Sequence, residues 1–228
     1  MKLVDGLEEK RRAYDAWLAG WQARRPEIVD GISDALPMPL NGDSLARRGW
    51  TDLPLHWIPE PGIVYAGGYG EDRAIYDTPI FNPPGQEPRT IHLGIDVFAL
   101  PGNAVRAPLA GRVHSFQLND NAKDYGPTIV LEHQPAPGLI FFTLYGHLSL
   151  DSLNGLQAGR PVEAGQEFAR LGSNDENGGW APHLHVQIIL DMMGKAGDFP
   201  GVCRRSDAEY WLTLCPNPAP IIGAADPG

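Results

Sequence analysis

Seven histidines stand at positions 56, 92, 114, 133, 147, 183 and 185, and strand geometry sorts them. Along a β-strand the side chains alternate faces, so residues i, i+2 and i+4 share one. In Ile91-His92-Leu93-Gly94-Ile95-Asp96-Val97 the apolar residues take one face, and His92, Gly94 and Asp96 take the other. The glycine leaves a gap between imidazole and carboxylate, with roughly 6.6 Å of rise on each side. Local bending lets both converge on one ion. In His183-Leu184-His185-Val186-Gln187-Ile188 the residues His183, His185 and Gln187 share a polar face. Two imidazoles set beside an apolar face are costly unless something uses them. A third strand, running from Phe141 to Leu148, is expected to put Thr143, Tyr145 and His147 together. If the three strands are neighbours, five ionisable groups converge. That set suits a catalytic zinc site, because zinc accepts neutral imidazole and carboxylate oxygen. Three protein ligands leave a fourth position for water, whose pKa the metal lowers to about 7. Two groups then remain as general base, general acid or oxyanion stabiliser. A single His-x-His occurs by chance, so the specificity lies in the ordered combination.

The chain resembles the lysostaphin-type zinc metalloendopeptidases, which cleave peptide bonds in peptidoglycan cross-bridges and stems. The matching residues are His92-Leu93-Gly94-Ile95-Asp96, Pro101-Gly102, Val105, Ala107-Pro108 and Gly111-Arg112-Val113. Tyr145-Gly146-His147-Leu148, Gly159, Val162, Gly165-Gln166, Gly172 and Pro182-His183-Leu184-His185 follow in order. The resemblance implies that His92, Asp96 and His185 hold one Zn²⁺ per chain and that His147 and His183 are the catalytic pair. It implies an endopeptidase acting on a peptide or peptidoglycan-derived substrate. It also implies an all-β core, a mainly antiparallel sheet of the duplicated-hybrid-motif kind with a groove along one face. The family includes non-catalytic activators that have lost ligands, whereas all five positions are filled here. Glu176 to Trp180, Gln187 to Asp191 and Asp198 to Val202 further resemble the subgroup found linked to class-III aminotransferases. Two other readings stay open. One is a peptide- or partner-binding module without turnover. The other is a zinc amidohydrolase acting on a cytosolic small metabolite.

Around these groups, Tyr145 is a candidate oxyanion stabiliser. Trp180, in a glycine-rich loop, is a candidate groove residue. His133 is expected to be structural, with a partner role to the ligands as the alternative. His56 and His114 read as structural or exposed, and Arg89 as a surface residue. No His-Glu-x-x-His and no Gly-x-Ser-x-Gly is present, so thermolysin-like and serine-hydrolase chemistry lack support.

The elements that position these residues are mostly short strands. Ile63–Tyr65, Arg73–Tyr76, Ile91–Phe98, Ala110–Phe116, Thr128–His133, Leu139–Leu148 and His183–Leu190 have strand length and composition. Leu7, Tyr14, Trp17, Leu18 and Trp21 share one face of an N-terminal helix that Pro26 ends. Residues 26–61 read as an extended wrap with one helical turn. Ser206 and Glu209 suggest a capping box for a short C-terminal helix that Pro216 stops. The expected organisation is a segment 1–60 packing on a β domain 61–228.

Composition agrees. The 228 residues carry a net charge of -10, which disfavours nucleic acid. An apolar content of 43% is too high for a disordered chain, while 27 glycines and 22 prolines point to turn-rich β structure. No apolar run is long enough for a transmembrane helix. The N-terminus has no signal-like apolar stretch, so a cytoplasmic location is expected. Cys203 and Cys215 read as small free hydrophobes.

Overall fold

A computed structural model describes residues 3–21, 26–76 and 78–224. The stretch between Trp21 and Pro26, where the first helix was expected to run out, lies outside the described residues. Twelve strands occur among the described residues: β1 Leu36–Pro37, β2 Tyr65–Gly67, β3 Arg89–His92, β4 Ile95–Phe98, β5 Ala104–Arg106 and β6 Gly111–Asn119. The rest are β7 Gly126–Ala136, β8 Leu139–Gly146, β9 Pro161–Val162, β10 Glu167–Arg170, β11 His183–Ile189 and β12 Val202–Arg204. Eight form one sheet in the order β1-β2-β4-β11-β8-β7-β6-β9. All its pairs are antiparallel except β1 with β2. β5 pairs with β10, and β3 with β12, in two small sheets.

The centre of the sheet is its driest part. Every residue of β4 and β11 is buried, so each strand is covered on both faces. On one face Val97, Ile129, Leu131, Leu184 and Val186 join a single apolar core. The N-terminal helix α1, Leu7–Gly20, seats Tyr14 edge-on against Phe141 at 5.2 Å between ring centroids. Arg11 Nη1 donates to the Leu212 carbonyl at 2.9 Å. The expected wrap contains a short helix α2, Gly42–Arg47, capped by the Asn41 side chain accepting from Ser44 N. It also contributes β1, so the segment before residue 61 enters the main sheet. Met38, Leu40, Leu45 and Leu53 from this segment pack with Ile75, Tyr76, Phe98 and Trp180.

Three local expectations are corrected. Arg73–Tyr76 is not a strand; only Asp72 makes a bridge, to Ile91. Arg73 is 1% exposed, and the backbone there turns to carry its guanidinium inward. The expected strand 91–98 breaks at Leu93-Gly94 into β3 and β4. Finally, Ser206 forms no capping box for α3, Ala208–Leu214. Its hydroxyl and amide both donate to Glu87, from a distant loop. A long-range carboxylate therefore takes the place of the local one. α4, Ala219–Ile222, closes the described chain.

Candidate metal centre

Register places the site. Asp96 on β4 lies opposite His185 on β11, and His185 lies opposite Gly146 on β8. On the other side Asp96 lies opposite Gly67 on β2. Directly opposed residues point to the same face, so two candidate ligands stand in one rank with a glycine at each end. Both glycines are required by what fills their places. A Cβ on Gly67 would lie 2.6 Å from Arg73 Nη2, and one on Gly146 would lie 2.5 Å from Tyr125 Cδ1. Gly94 has the same role in the third dimension. A Cβ there would meet the Val186 carbonyl at 2.5 Å and the His185 ring at 2.8 Å. The bend at Leu93-Gly94 lets His92, on β3, fold back over the rank.

Three acceptor atoms meet as a result. His92 Nε2 lies 3.0 Å from His185 Nδ1, His185 Nδ1 lies 3.1 Å from Asp96 Oδ1, and His92 Nε2 lies 3.3 Å from Asp96 Oδ1. Their partners fix the tautomers. His92 Nδ1–H donates to the Gly68 carbonyl at 3.1 Å. His185 Nε2–H donates to Gln187 Oε1 at 2.9 Å. Gln187 is itself oriented by donating to the Pro200 carbonyl and to Cys215 Sγ. No proton is then left for the triangle, and three lone pairs face one another in a buried space. Such a set could hold a cation. Tetrahedral zinc, with ligand bonds of about 2.0–2.1 Å, sets neighbouring ligand atoms about 3.3 Å apart. The observed triangle has that size, and its two imidazoles and one carboxylate suit zinc while leaving one position open. Among the described residues, these three form the one group of metal-ligating side chains with this convergence.

Electrostatics keep His92 neutral and Asp96 ionised. Burial, with Arg73 nearby, pushes His92 down to about 4. Burial alone would raise Asp96, but His92 and Arg73 outweigh it and hold the carboxyl well below its usual range. Arg73 Nη1 donates to Asp96 Oδ2 at 2.5 Å, which leaves Oδ1 for the triangle. Arg73 Nε also binds Glu71 Oε2 at 2.9 Å.

His147 and His183 lie beside this set, their ring centroids 4.1 Å apart. His147 reaches the site by breaking strand alternation. It follows β8 with φ = 62°, a left-handed conformation that costs a non-glycine residue about 1–3 kcal/mol. Its Nδ1–H donates to the Asn177 carbonyl at 2.8 Å, and His183 Nδ1–H donates to the Ala181 carbonyl at 2.7 Å. Each Nε2 is therefore the basic nitrogen. Burial lowers both imidazoles, His147 well below its usual value, so both are neutral at pH 7. A cavity of about 300 Å³ opens onto Asp96, His147, His183 and His185.

The other expected residues divide. Trp180 lines this cavity and stands 6.3 Å from His147 between ring centroids. Tyr145 does not reach it. It lies opposite Val186, one residue out of phase with His185, and is fully buried against Phe168 in the apolar core. The expected common face of Tyr145 and His147 fails because His147 has left the strand. His133 is buried, with Nδ1–H donating to the Ala110 carbonyl and Nε2 accepting from Thr143 Oγ1; these contacts are structural. His114 is half-buried against Phe142, and His56 is exposed. Arg89 lines the cavity, its guanidinium 5.7 Å from the Phe81 ring centre. Arg73 and Tyr125 were not singled out from sequence. Tyr125 lies over Gly146, 5.1 Å from the His185 ring, with its hydroxyl buried and unpartnered. The signals for both were glycines 67 and 146, whose vacant sides only a register can assign.

Residues 90–197 match the model of Peptidase family M23. No match is found among curated proteins. Solved structures with similarity include the catalytic domain of the antimicrobial peptidase lysostaphin from Staphylococcus simulans. It is 23% identical, covers 59% of this chain and 81% of its own, and has a TM-score of 0.42. A mutant form of the catalytic domain of the prophage-encoded M23 protein EnpA from Enterococcus faecalis is 20% identical. It covers 63% of this chain and 96% of its own, with a TM-score of 0.41. A zinc-containing peptidase from Vibrio cholerae is 25% identical over 47% of this chain, with a TM-score of 0.36. The match covers 29% of that protein.

Proposed function

We propose that this chain, whose residues 90–197 match a peptidase family, is a zinc-dependent endopeptidase that hydrolyses peptide bonds in peptides or peptidoglycan fragments. The observation that carries the reading is the buried triangle of three proton-free acceptors, with two further neutral imidazoles on the same cavity. His92 Nε2, His185 Nδ1 and Asp96 Oδ1 are the proposed ligands. When bound, zinc supplies Lewis acidity toward the scissile carbonyl and makes water a nucleophile at neutral pH. Gln187 and the Gly68 carbonyl keep the two ligand imidazoles in the required tautomers. Arg73 keeps Asp96 ionised and turned through Oδ1. One of His147 and His183 accepts the water proton at Nε2 and, as imidazolium, returns a proton to the leaving amide nitrogen. Its partner, neutral with a bare Nε2, accepts a hydrogen bond from the attacking water and orients it. The carbonyls of Asn177 and Ala181 hold both rings so that Nε2 faces the cavity.

The test is metal analysis of untagged protein and of the His185→Ala variant, followed by a peptide-hydrolysis screen. About one zinc per chain, lost in the variant, is expected, with hydrolysis that a chelator abolishes and zinc restores. A folded protein that takes up no zinc on titration would overturn the reading.

A further inference from the structure

The cavity beside the histidines is not built by the family segment alone. Leu40, Leu53, Ile75, Tyr76, Ile80 and Phe81 line it, and all six precede residue 90, where the family match begins. The wall stays in place because it belongs to a core. Leu40, Leu53, Ile75 and Tyr76 pack with Phe98, Trp180 and Val202, and Phe81 lies 4.8 Å from Tyr76 between ring centroids. Phe98 in turn stacks on His183 at 5.0 Å. The apolar wall and the proposed catalytic pair are therefore parts of one surface.

We infer that this wall is a specificity pocket, and that the substrate peptide carries a bulky aliphatic or aromatic side chain beside the scissile bond. This inference rests on the peptidase reading above. Size supports it. A cavity of about 300 Å³ stands at the small end of ligand-pocket sizes, in keeping with one large side chain. Charge supports it too. Arg89, Lys123 and Lys195 line the same cavity as Asp124 and Asp198, so the mixed signs select no strongly charged ligand. An apolar pocket discriminates by what it fills, and each methylene missing from the occupant weakens its hold.

The test uses the peptide amides Ala-Ala-X-Ala, with X as Gly, Ala, Leu or Phe, titrated against metal-free protein by NMR. The Leu and Phe peptides should bind at least about tenfold more tightly than the Gly peptide. Ile80 and Phe81 are half-buried, so Ile80→Asp and Phe81→Ala are expected to keep the fold, checked by circular dichroism. Ile80→Asp should remove most of the preference, and Phe81→Ala should reduce it. Equal binding of the Gly and Leu peptides, or an unchanged preference in both folded variants, would overturn the pocket. The zinc-loaded protein separates the two readings. Hydrolysis of the Gly peptide as fast as the Leu peptide leaves the peptidase and removes the pocket. Selective binding without hydrolysis of any peptide leaves the pocket and removes the peptidase.

Discussion

His147 and His133 are both buried imidazoles, and their surroundings give them different expected behaviour. His147 is held in a left-handed conformation with its basic nitrogen toward the cavity. A base used in turnover but not in ligation should be separable from the metal. His147→Ala is expected to keep the zinc stoichiometry of the wild type while lowering the hydrolysis rate by about 100-fold or more, measured on the same preparation. Loss of zinc in that variant would place His147 among the ligands instead. His133 has both nitrogens occupied by Ala110 and Thr143, and burial pushes it down to about 4. Its ring signals in an NMR titration should move near pH 4. Movement near the ordinary histidine value of about 6.5 would contradict that burial.

At the level of elements, the centre depends on strands approaching without side chains between them. β4 and β11 bring Asp96 and His185 together, and the bend between β3 and β4 adds His92. Gly94 stands at that bend against the Val186 carbonyl, a backbone atom of a central strand that has no room to yield. Gly94→Ala should therefore destabilise the metal-free protein by about 1–3 kcal/mol and weaken zinc binding by displacing the His185 ring. Urea unfolding and competitive zinc titration read the two effects. Unchanged zinc affinity would show that the ring has another place to go. The sequence made the strands of this layer legible, because β6, β7, β8 and β11 are long and rich in β-branched and aromatic residues. It did not make β1, β5, β9, β10 and β12 legible. Strands of two to four residues carry too little pattern, and their partners, not their composition, define them.

For the whole molecule, the site and the stability are linked. A ligand that binds only the folded state at 1,000 times its Kd adds about 4.1 kcal/mol. In a chain of this size, each kcal/mol shifts Tm by about 2–4 °C. Saturating zinc should raise Tm by about 8–16 °C, and a chelator should reverse the shift; an unchanged Tm would argue against a tight site. Acid should act in the opposite direction. The unfolded chain takes up histidine protons below about pH 6.5, whereas His92 and His133 resist protonation until about 4. The unfolded state binds more protons between those values. Stability of the metal-free protein should therefore fall as pH drops from about 6.5 to 4, by up to about 3 kcal/mol per histidine. Urea midpoints across that range measure the slope, and a flat profile would contradict the burial of these rings. No helix among the described residues is long and apolar enough to cross a membrane.

The sequence by itself determined the chemistry on offer. Period-two alternation assigned His92, Asp96, His183 and His185 to polar faces of two strands, and the glycine at 94 marked the gap that the His185 ring fills. Those are local properties, carried by adjacent residues. Tertiary structure decided which faces meet. Register set His185 against Asp96 and Gly146. A left-handed turn took His147 out of the strand that keeps Tyr145 in the core. Arg73, Tyr125 and the apolar wall come from distant segments that enter spaces left by glycines 67 and 146 or pack over the cavity. Such contacts depend on which strands become neighbours, and no pattern within a single segment encodes that.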